Sequence, residues 1–251
     1  MGGFMHFDTS NFRRIGSGAH WIVYRSQSET SICIDGEIQT KIVFKKSNQG
    51  RGQVDKNILA YTRVKESKLQ TLKIYHAITL GTDAFLVAED LSVSETIFVS
   101  PNTARALPTK SSILVDSLLN RIQAIEDDRI SESAEQYLMK NKILLIRNFD
   151  QFIELIYHDM RNATENGLGL CEDAFFFGIN PADGMLQYKI ADFDTIITEG
   201  IPNTLDICNR NKLTMLNALW EFIDHFVDES IANIYKSEIE DISRSISISY
   251  K

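Results

Sequence analysis

The first part of the chain contains short hydrophobic runs separated by turn-forming residues. Three runs, Phe12–Tyr24, Thr30–Phe44 and Ala84–Leu91, are rich in β-branched and aromatic side chains, and Gly, Ser, Asn and Asp separate them. Such runs with such separators predict strands and hairpins. Hydrophobic residues from Val54 to Val64 recur at helical spacing, which predicts one helix. We therefore expect strands, one helix and further strands, in that order.

From Ser92 onward, hydrophobic residues recur mainly at the spacing of a helix with one buried face. The helices that this spacing predicts lie at residues 113–125, 149–160, 213–226 and 231–239. The charged segment Glu126–Asn141 either extends a helix or forms an exposed loop. The serine-rich end, Ile242–Ser249, is predicted to be disordered.

A β-hairpin is predicted within this helical part. Two apolar runs, Ala174–Ile179 and Met185–Ala191, flank the segment Asn180–Gly184, whose Asn, Pro, Asp and Gly residues are typical of turns. The second run leads directly into Asp192-Phe193-Asp194. A carboxylate at the end of a buried strand suits Mg²⁺, which binds one or two carboxylates together with phosphate oxygens. Asp192 could also simply cap the following turn.

Composition narrows the class of protein. The chain has 251 residues, of which 43% are hydrophobic and 24% charged, as in a globular protein of one large domain or two small lobes. The net charge of −8 argues against nucleic-acid binding, and no apolar run is long enough for a membrane span. Three cysteines without paired spacing fit a reducing compartment. We therefore expect a cytoplasmic protein that binds neither nucleic acid nor a membrane.

Two further motifs precede the Asp-Phe-Asp sequence. The backbone N–H groups of the turn Gly16-Ser17-Gly18 can approach a phosphate because glycine lacks Cβ. Any Gly-Ser-Gly hairpin shares this pattern. Trp21 occupies the position of the third glycine in a Gly-x-Gly-x-x-Gly phosphate loop. The apolar run that begins at Thr40 ends in Lys45 and Lys46, and either lysine can bring a positive charge to a polyphosphate. Each motif alone is weak evidence for a phosphate site.

Taken in order, these motifs resemble those of the protein-kinase-like superfamily, which has a glycine-rich loop, a strand lysine and an Asp-Phe-Gly metal motif. The matching stretches are Gly16–Tyr24, Val43–Lys45, Leu86–Leu91 as the hinge, and Ala191–Asp194. The resemblance implies an α+β, two-lobed fold. Its β-rich N-terminal lobe would comprise residues 1–91, and a reduced, mostly helical C-terminal lobe would comprise residues 92–251. Such a reduced lobe is similar to those of small-molecule kinases and of the compact kinases that some bacteria inject into host cells.

The resemblance also implies roles for individual residues. The residues that it assigns to ATP binding are Gly16, Ser17, Gly18, Val23, Lys45, Glu89 and Leu91. The glycine turn would cover the phosphates, the valine would cover the adenine, and the lysine would contact the phosphates. Backbone groups near the last two residues would hold the adenine edge. Asp192 would bind Mg²⁺, and Lys46 is an alternative to Lys45 because a bulge would exchange them.

Two departures from the family pattern concern catalysis. The helix position that normally supplies a glutamate to the strand lysine holds Asn57, so the partner of the lysine is unassigned. The His-Arg-Asp loop with its later asparagine is missing before the hairpin. Asp173 is the preferred general base, with Glu172 and Asp159 as alternatives. If the strand after the loop is aligned instead, Ala174 replaces the metal-binding asparagine.

These motifs predict an ATP-dependent phosphotransferase, an atypical kinase that moves the γ-phosphate to a hydroxyl group on a protein or a small molecule. One alternative is a pseudokinase that binds nucleotide or a partner without phosphotransfer. Another is an enzyme of the same fold that transfers a different group, such as AMP.

Overall fold

The structure, a computed structural model, describes residues 12–17, 20–26, 32–34, 37–39, 41–91, 96–101, 138–180 and 183–248. The helix predicted at residues 113–125 and most of the charged segment after it lie outside these ranges, as does Gly18. Among the described residues, no helix is both long enough and apolar enough to cross a membrane.

The described residues up to Leu91 form antiparallel sheets and one α-helix. The elements are β1 (Phe12–Ser17), β2 (Trp21–Ser26), β3 (Ile32–Ile34), β4 (Glu37–Gln39), β5 (Ile42–Ser47), α1 (Arg51–Glu66), β6 (Ile74–Leu80) and β7 (Asp83–Glu89). Five strands pair in the order β1-β2-β5-β7-β6, and β3 pairs with β4. The predicted order of strands, helix and strands is confirmed, although β6 was not predicted.

The centre of the five-stranded sheet is apolar on both faces. Phe44 of β5 and Val87 of β7 lie in the core on one face. Leu86 lies on the other face, where it packs with Val54 of α1. Burial on both faces explains why β7 is a continuous hydrophobic run rather than an alternating one, and it fixes α1 against the sheet.

The remaining described residues form a small sheet and three long helices. The elements are β8 (Ile97–Val99), α2 (Phe149–Glu165), a single 3₁₀ turn (Glu172–Ala174), β9 (Phe175–Asn180), β10 (Met185–Ile190), α3 (Leu205–Phe226) and α4 (Glu229–Ile248). The sheet order is β10-β9-β8. The predicted hairpin and the predicted helices in this region are confirmed, and the short strand β8 is an addition. The protein thus has an α+β fold with antiparallel sheets.

The prediction that the serine-rich end is disordered is wrong as far as Ile248. Helix α4 runs through this segment and buries Ile239 and Ile246, and Ile242 packs against the same core. These isoleucines follow one another at three- or four-residue spacing, which places them on one helix face. The intervening serines obscure that spacing because their hydroxyl groups compete for backbone hydrogen bonds and weaken helix propensity.

A buried polar contact joins α2 to β10. Asp159 of α2 is 3% exposed. Its Oδ2 accepts a hydrogen bond of 2.5 Å from the Tyr188 hydroxyl, and its Oδ1 lies 2.9 Å from Nδ1 of His158. A buried carboxylate is stable only when hydrogen-bond donors replace water. Asp159, one alternative for the general base, is therefore part of the core that supports β10.

We expect Tyr188→Phe to lower the free energy of unfolding by about 1.5–3 kcal/mol, because a buried carboxylate then loses a donor. Urea denaturation followed by circular dichroism measures this change. The matched control is Tyr61→Phe, which keeps the edge contact of the Tyr61 ring with Phe193. Equal destabilisation by the two variants would contradict the assignment to the hydrogen bond.

The same contact predicts a dependence of stability on alkaline pH. Burial, followed by the negative charge of Asp159, raises the pKa of the Tyr188 phenol well above its ordinary value. A raised folded pKa means that the stabilisation is fully present below the ordinary tyrosine pKa of about 10 and is lost as pH rises further. Unfolding titrations should show a steeper loss of stability above this pH in the parent than in Tyr188→Phe.

Candidate functional site

The end of β10 is held against the segment that follows α1. The Ile190 carbonyl accepts hydrogen bonds from the Leu72 N–H, at 3.1 Å, and from the Thr71 hydroxyl, at 3.0 Å. The Ile190 N–H donates to the Gln70 carbonyl at 2.9 Å. These bonds bring Asp192, two residues after β10, alongside the sheet that carries Lys45.

Lys45 faces the Asp-Phe-Asp segment. Its half-buried side chain places Nζ 3.4 Å from the Ala191 carbonyl oxygen and 5.2 Å from the centre of the Trp21 ring. Burial lowers the pKa of the Lys45 ammonium, and the negative charges of Asp192 and Asp194 act in the opposite direction. The Lys45 amine thus lies close enough to both carboxylates to interact with their charges.

The neighbouring lysine points the other way. Lys46 forms an ion pair of 2.6 Å with Asp83, since successive residues of a strand project from opposite faces. Val23 lies directly opposite Lys45 in the pairing of β2 with β5, so the two share a face of the sheet. Of the two lysines that the sequence left open, Lys45 is the one that reaches the Asp-Phe-Asp segment.

One carboxylate oxygen of Asp192 accepts a hydrogen bond, and the other accepts none from the described residues. Its Oδ1 accepts a hydrogen bond from the Asp194 N–H at 3.1 Å, and Oδ2 accepts none from any residue that the structure describes. Burial raises the pKa of the half-buried Asp192 carboxyl, whereas the Lys45 ammonium and the Asp194 N–H lower it. The negative charges of Asp194 and Asp173 add to the upward shift.

A carboxylate of this kind fits Mg²⁺, which prefers hard oxygen ligands and commonly uses one or two carboxylates plus phosphate oxygens. Within the described ranges, no group of three or more His, Cys, Asp or Glu side chains could hold a metal ion by itself. A magnesium ion on Asp192 would need further oxygen ligands, and phosphate oxygens are suitable ones.

The 3₁₀ turn before β9 lies beside Asp192. The Ala191 N–H donates to the Ala174 carbonyl at 3.0 Å, which joins the turn to the segment that carries Asp192. Asp173, at the centre of this turn, is exposed. Glu172 is half-buried and accepts a hydrogen bond of 3.3 Å from Asn217 of α3. Of the three acids considered as base, Asp173 is the one exposed to solvent beside Asp192.

The residues assigned to the adenine edge lie at the end of β7. The Glu89 N–H donates to the Lys73 carbonyl at 2.8 Å, and the Glu89 carboxylate accepts from Nζ of Lys189 at 2.6 Å. Leu91 packs at the edge of the large hydrophobic core, as does Val23. Both residues are half-buried and pack against this core.

An ion pair that the sequence did not reveal fastens β2 to the end of β7. Arg25 donates to both carboxylate oxygens of the buried Asp90, at 2.6 Å from Nε and 3.1 Å from Nη2. Bidentate pairs of this kind hold two segments in a defined orientation. The strand that follows the glycine turn is therefore tied to the proposed hinge.

The glycine turn is described only at its two ends. Gly16 and Ser17 belong to β1, where they pair with Val23 and Ile22 of β2. Gly18 lies outside the described residues. The pairing places the turn at the same end of β2 as Trp21, which begins that strand.

Sequence reasoning missed the partners of Asp194. The Asp194 carboxylate accepts a hydrogen bond of 2.6 Å from Nε1 of Trp21 and further ones from the side-chain amides of Gln53 and Asn57 on α1. Gln53 and Asn57 are four residues apart, so they share a helix face. Two polar residues on the face that also buries Val54 are a sequence signal for a buried polar contact, but they do not identify its partner.

Comparison of the sequence with models of known protein families finds no match, and comparison with curated proteins finds none of significant similarity.

Proposed function

We propose that this protein is an ATP-dependent phosphotransferase that uses Mg²⁺ and transfers the γ-phosphoryl group to a hydroxyl acceptor on a protein or a small molecule. The observation that carries the proposal is the contact of Nζ of Lys45 with the carbonyl oxygen of Ala191, next to Asp192. This contact places the Lys45 side chain beside the Asp-Phe-Asp segment, so its ammonium and the Asp192 carboxylate would both serve a bound triphosphate. The resemblance of the motifs to those of protein kinases supports the same conclusion.

Charge neutralisation is the main task of such a site, because the oxygens of the transferred group carry negative charge in the transition state. Lys45 would contact the phosphates, and Asp192 would hold Mg²⁺. A magnesium ion held by Asp192 would supply positive charge that offsets the negative charge of the phosphate oxygens. Val23 and Leu91, two half-buried residues that pack against the large core, would cover the adenine ring.

Asp173 is suited to accept the proton of the acceptor hydroxyl. In the transfer, the acceptor oxygen forms a bond to the γ-phosphorus while the bond from that phosphorus to the oxygen bridging it to the β-phosphate breaks, and ADP leaves. The acceptor proton passes to the Asp173 carboxylate. The exposure of Asp173 beside Asp192 leaves room for an acceptor.

Two measurements on the parent protein test the proposal. Calorimetry with ATP, with and without Mg²⁺, measures nucleotide binding, and transfer of a labelled γ-phosphate to the protein or to an added acceptor measures the reaction. We expect Mg²⁺-dependent binding and a product heavier by one phosphoryl group. Addition of AMP instead would favour adenylyl transfer, and absence of both binding and transfer would refute the proposal.

Asp173→Asn should reduce phosphoryl transfer by about 10²–10⁴-fold, the usual contribution of a general base. The affinity for ATP with Mg²⁺ should change little, because Asp173 acts on the acceptor. Single-turnover transfer and calorimetry measure the two effects separately. Glu172→Gln is the matched control, since it changes the adjacent acid. If Asp173→Asn transferred phosphate at the parent rate, or if both variants lost the same fraction of that rate, Asp173 would not be the general base.

Nucleotide binding without transfer is the second candidate function. It is favoured by the substitution of Asn57 for the expected helix acid and by the Trp21 ring beside Lys45. In that case the parent protein would bind ATP by calorimetry but yield no transfer product with any acceptor, and Asp173→Asn would have no effect.

A further inference from the structure

Asp194 connects three parts of the chain that are distant in sequence. Its Oδ2 accepts the indole N–H of Trp21 at the start of β2. Its Oδ1 accepts N–H groups from Gln53 and Asn57 of α1. Asp194 itself follows β10. A single carboxylate thus joins the sheet, the helix and the Asp-Phe-Asp segment.

The amide of Asn57 is oriented by this carboxylate. Asn57 is fully buried, and its Nδ2 is directed at Asp194 and at the Gln53 carbonyl. Its Oδ1 has no hydrogen-bond partner among the described residues. A buried acceptor without a donor costs free energy. The Asn57 amide is thus oriented so that its NH₂ group donates to Asp194 while its own oxygen stays without a donor among the described residues.

The three donors also distinguish the two aspartates of the motif. Both oxygens of Asp194 are occupied by N–H groups. Among the residues that the structure describes, the side chain of Asp192 accepts a hydrogen bond at Oδ1 alone. Asp194 is therefore engaged within the protein, whereas Asp192 has an oxygen available for a ligand.

We propose that Asp194 is a positioning residue that anchors Trp21 and α1 to the Asp-Phe-Asp segment and thereby sets Lys45 opposite Asp192. This inference rests on the proposed function and deepens it by assigning separate roles to the two aspartates. Trp21 stacks beside Nζ of Lys45 while it donates to Asp194, so loss of the anchor would release the side chain that flanks the lysine.

Exchange of the amide and the carboxylate tests this role. Asp194→Asn leaves two amides facing each other, and Asn57→Asp leaves two carboxylates facing each other. The double variant Asn57→Asp/Asp194→Asn restores an amide–carboxylate pair with its direction reversed. The amide oxygen introduced at position 194 could then still accept from Trp21. Its NH₂ group donates to the carboxylate introduced at position 57 and to the Gln53 side-chain amide, which must turn its oxygen toward position 194. Such cycles separate a pairwise interaction from the separate effects of two substitutions.

The readouts are fluorescence emission and ATP affinity. The chain has two tryptophans. Trp220→Phe, a change on α3 at a residue that contacts Glu240 of α4, therefore leaves Trp21 as the only tryptophan, which excitation at the red edge of the indole absorption band selects over tyrosine. In this background, each single variant should shift the emission to longer wavelength as Trp21 loosens. Each should also weaken the binding of ATP with Mg²⁺ by about tenfold. The double variant should return both values to within about threefold of the parent affinity and close to the parent emission.

The two hypotheses fail in different ways. Parent-like emission and affinity in both single variants, or no recovery in the double variant, would overturn the anchoring role of Asp194. Absence of ATP binding in the parent would instead refute the proposed function, and recovery of the Trp21 emission in the nucleotide-free double variant would still support the anchor. Circular dichroism of all variants confirms that the emission shifts arise in folded protein.

Discussion

Lys45→Met is expected to weaken the binding of ATP with Mg²⁺ by about 10–100-fold and to reduce phosphoryl transfer by at least as much. Hydrogen bonds to a charged group contribute about 1.5–3 kcal/mol, and the phosphates would lose their contact with the one ammonium that faces the Ala191 carbonyl among the described residues. Methionine has a similar length and leaves no charge to be desolvated. Calorimetry and transfer of labelled phosphate measure the two losses.

Lys46→Met is the matched control because it removes the adjacent positive charge from the opposite face of β5. Lys46 pairs with Asp83 at 2.6 Å, and this half-exposed ion pair contributes little to stability. Binding and transfer should remain within about twofold of the parent. A larger loss in Lys46→Met than in Lys45→Met would mean that the other lysine serves the nucleotide. Thermal melts of both variants would show that each is folded.

Asp192→Asn is expected to remove the part of ATP affinity that depends on Mg²⁺. An amide is a weaker ligand for a hard cation than a carboxylate, and metal stabilisation of phosphate charge is worth several kcal/mol. Affinity in the presence of Mg²⁺ should therefore fall to the level measured with EDTA. Transfer should fall by about 100-fold or more. Titration of ATP at several Mg²⁺ concentrations separates the metal-dependent part from the rest.

Asp55→Asn is a suitable control for this second variant. Asp55 is an exposed acid on α1 that pairs with Arg51 at 2.8 Å, so its loss removes one negative charge without altering the Asp-Phe-Asp segment. Its Mg²⁺ dependence should match that of the parent. A Mg²⁺ response retained in Asp192→Asn would place the metal on another residue and would contradict the assignment of Asp192.

Together with the Asp194 exchange, these variants assign different functions to neighbouring groups. Loss of Lys45 should affect the nucleotide with or without Mg²⁺, whereas loss of Asp192 should affect only the metal-dependent part. Loss of Asp194 should additionally alter the emission of Trp21. A protein that binds ATP without transferring phosphate would give the binding effects alone.

Long segments with regular hydrophobic spacing were predicted from the sequence. The spacing from Val54 to Val64 indicated α1, and the apolar runs around Asn180–Gly184 indicated the β9–β10 hairpin. Short or half-buried elements were missed. Strand β6 lies at the edge of its sheet and carries exposed residues such as His76, and β8 has three residues. Neither has a periodic pattern long enough to distinguish it from a loop.

The candidate site was only partly predictable. Lys45 and Asp192 were identified because each lies near the end of an apolar strand. The sequence did not show whether Lys45 or Lys46 faces the site. A shift of one residue in strand register exchanges the two faces of a sheet. Asp159 was one alternative for the general base, yet its carboxylate accepts a hydrogen bond from Tyr188 in the core. Burial decided between these acids, and burial is a property of the packed chain.

The sequence by itself determined α1, α2, α3 and the first part of α4, most strands and the order of the three motifs, because these depend on side chains that are close neighbours along the chain. Only the tertiary structure showed that Trp21 and Asn57 donate to Asp194, contacts that span 173 and 137 positions. Their geometry depends on how the end of β10 packs against α1 and the sheet. Hydrogen-bonding preferences of neighbouring residues do not predict which distant segments come into contact. Those contacts form because the segments bury a common hydrophobic core.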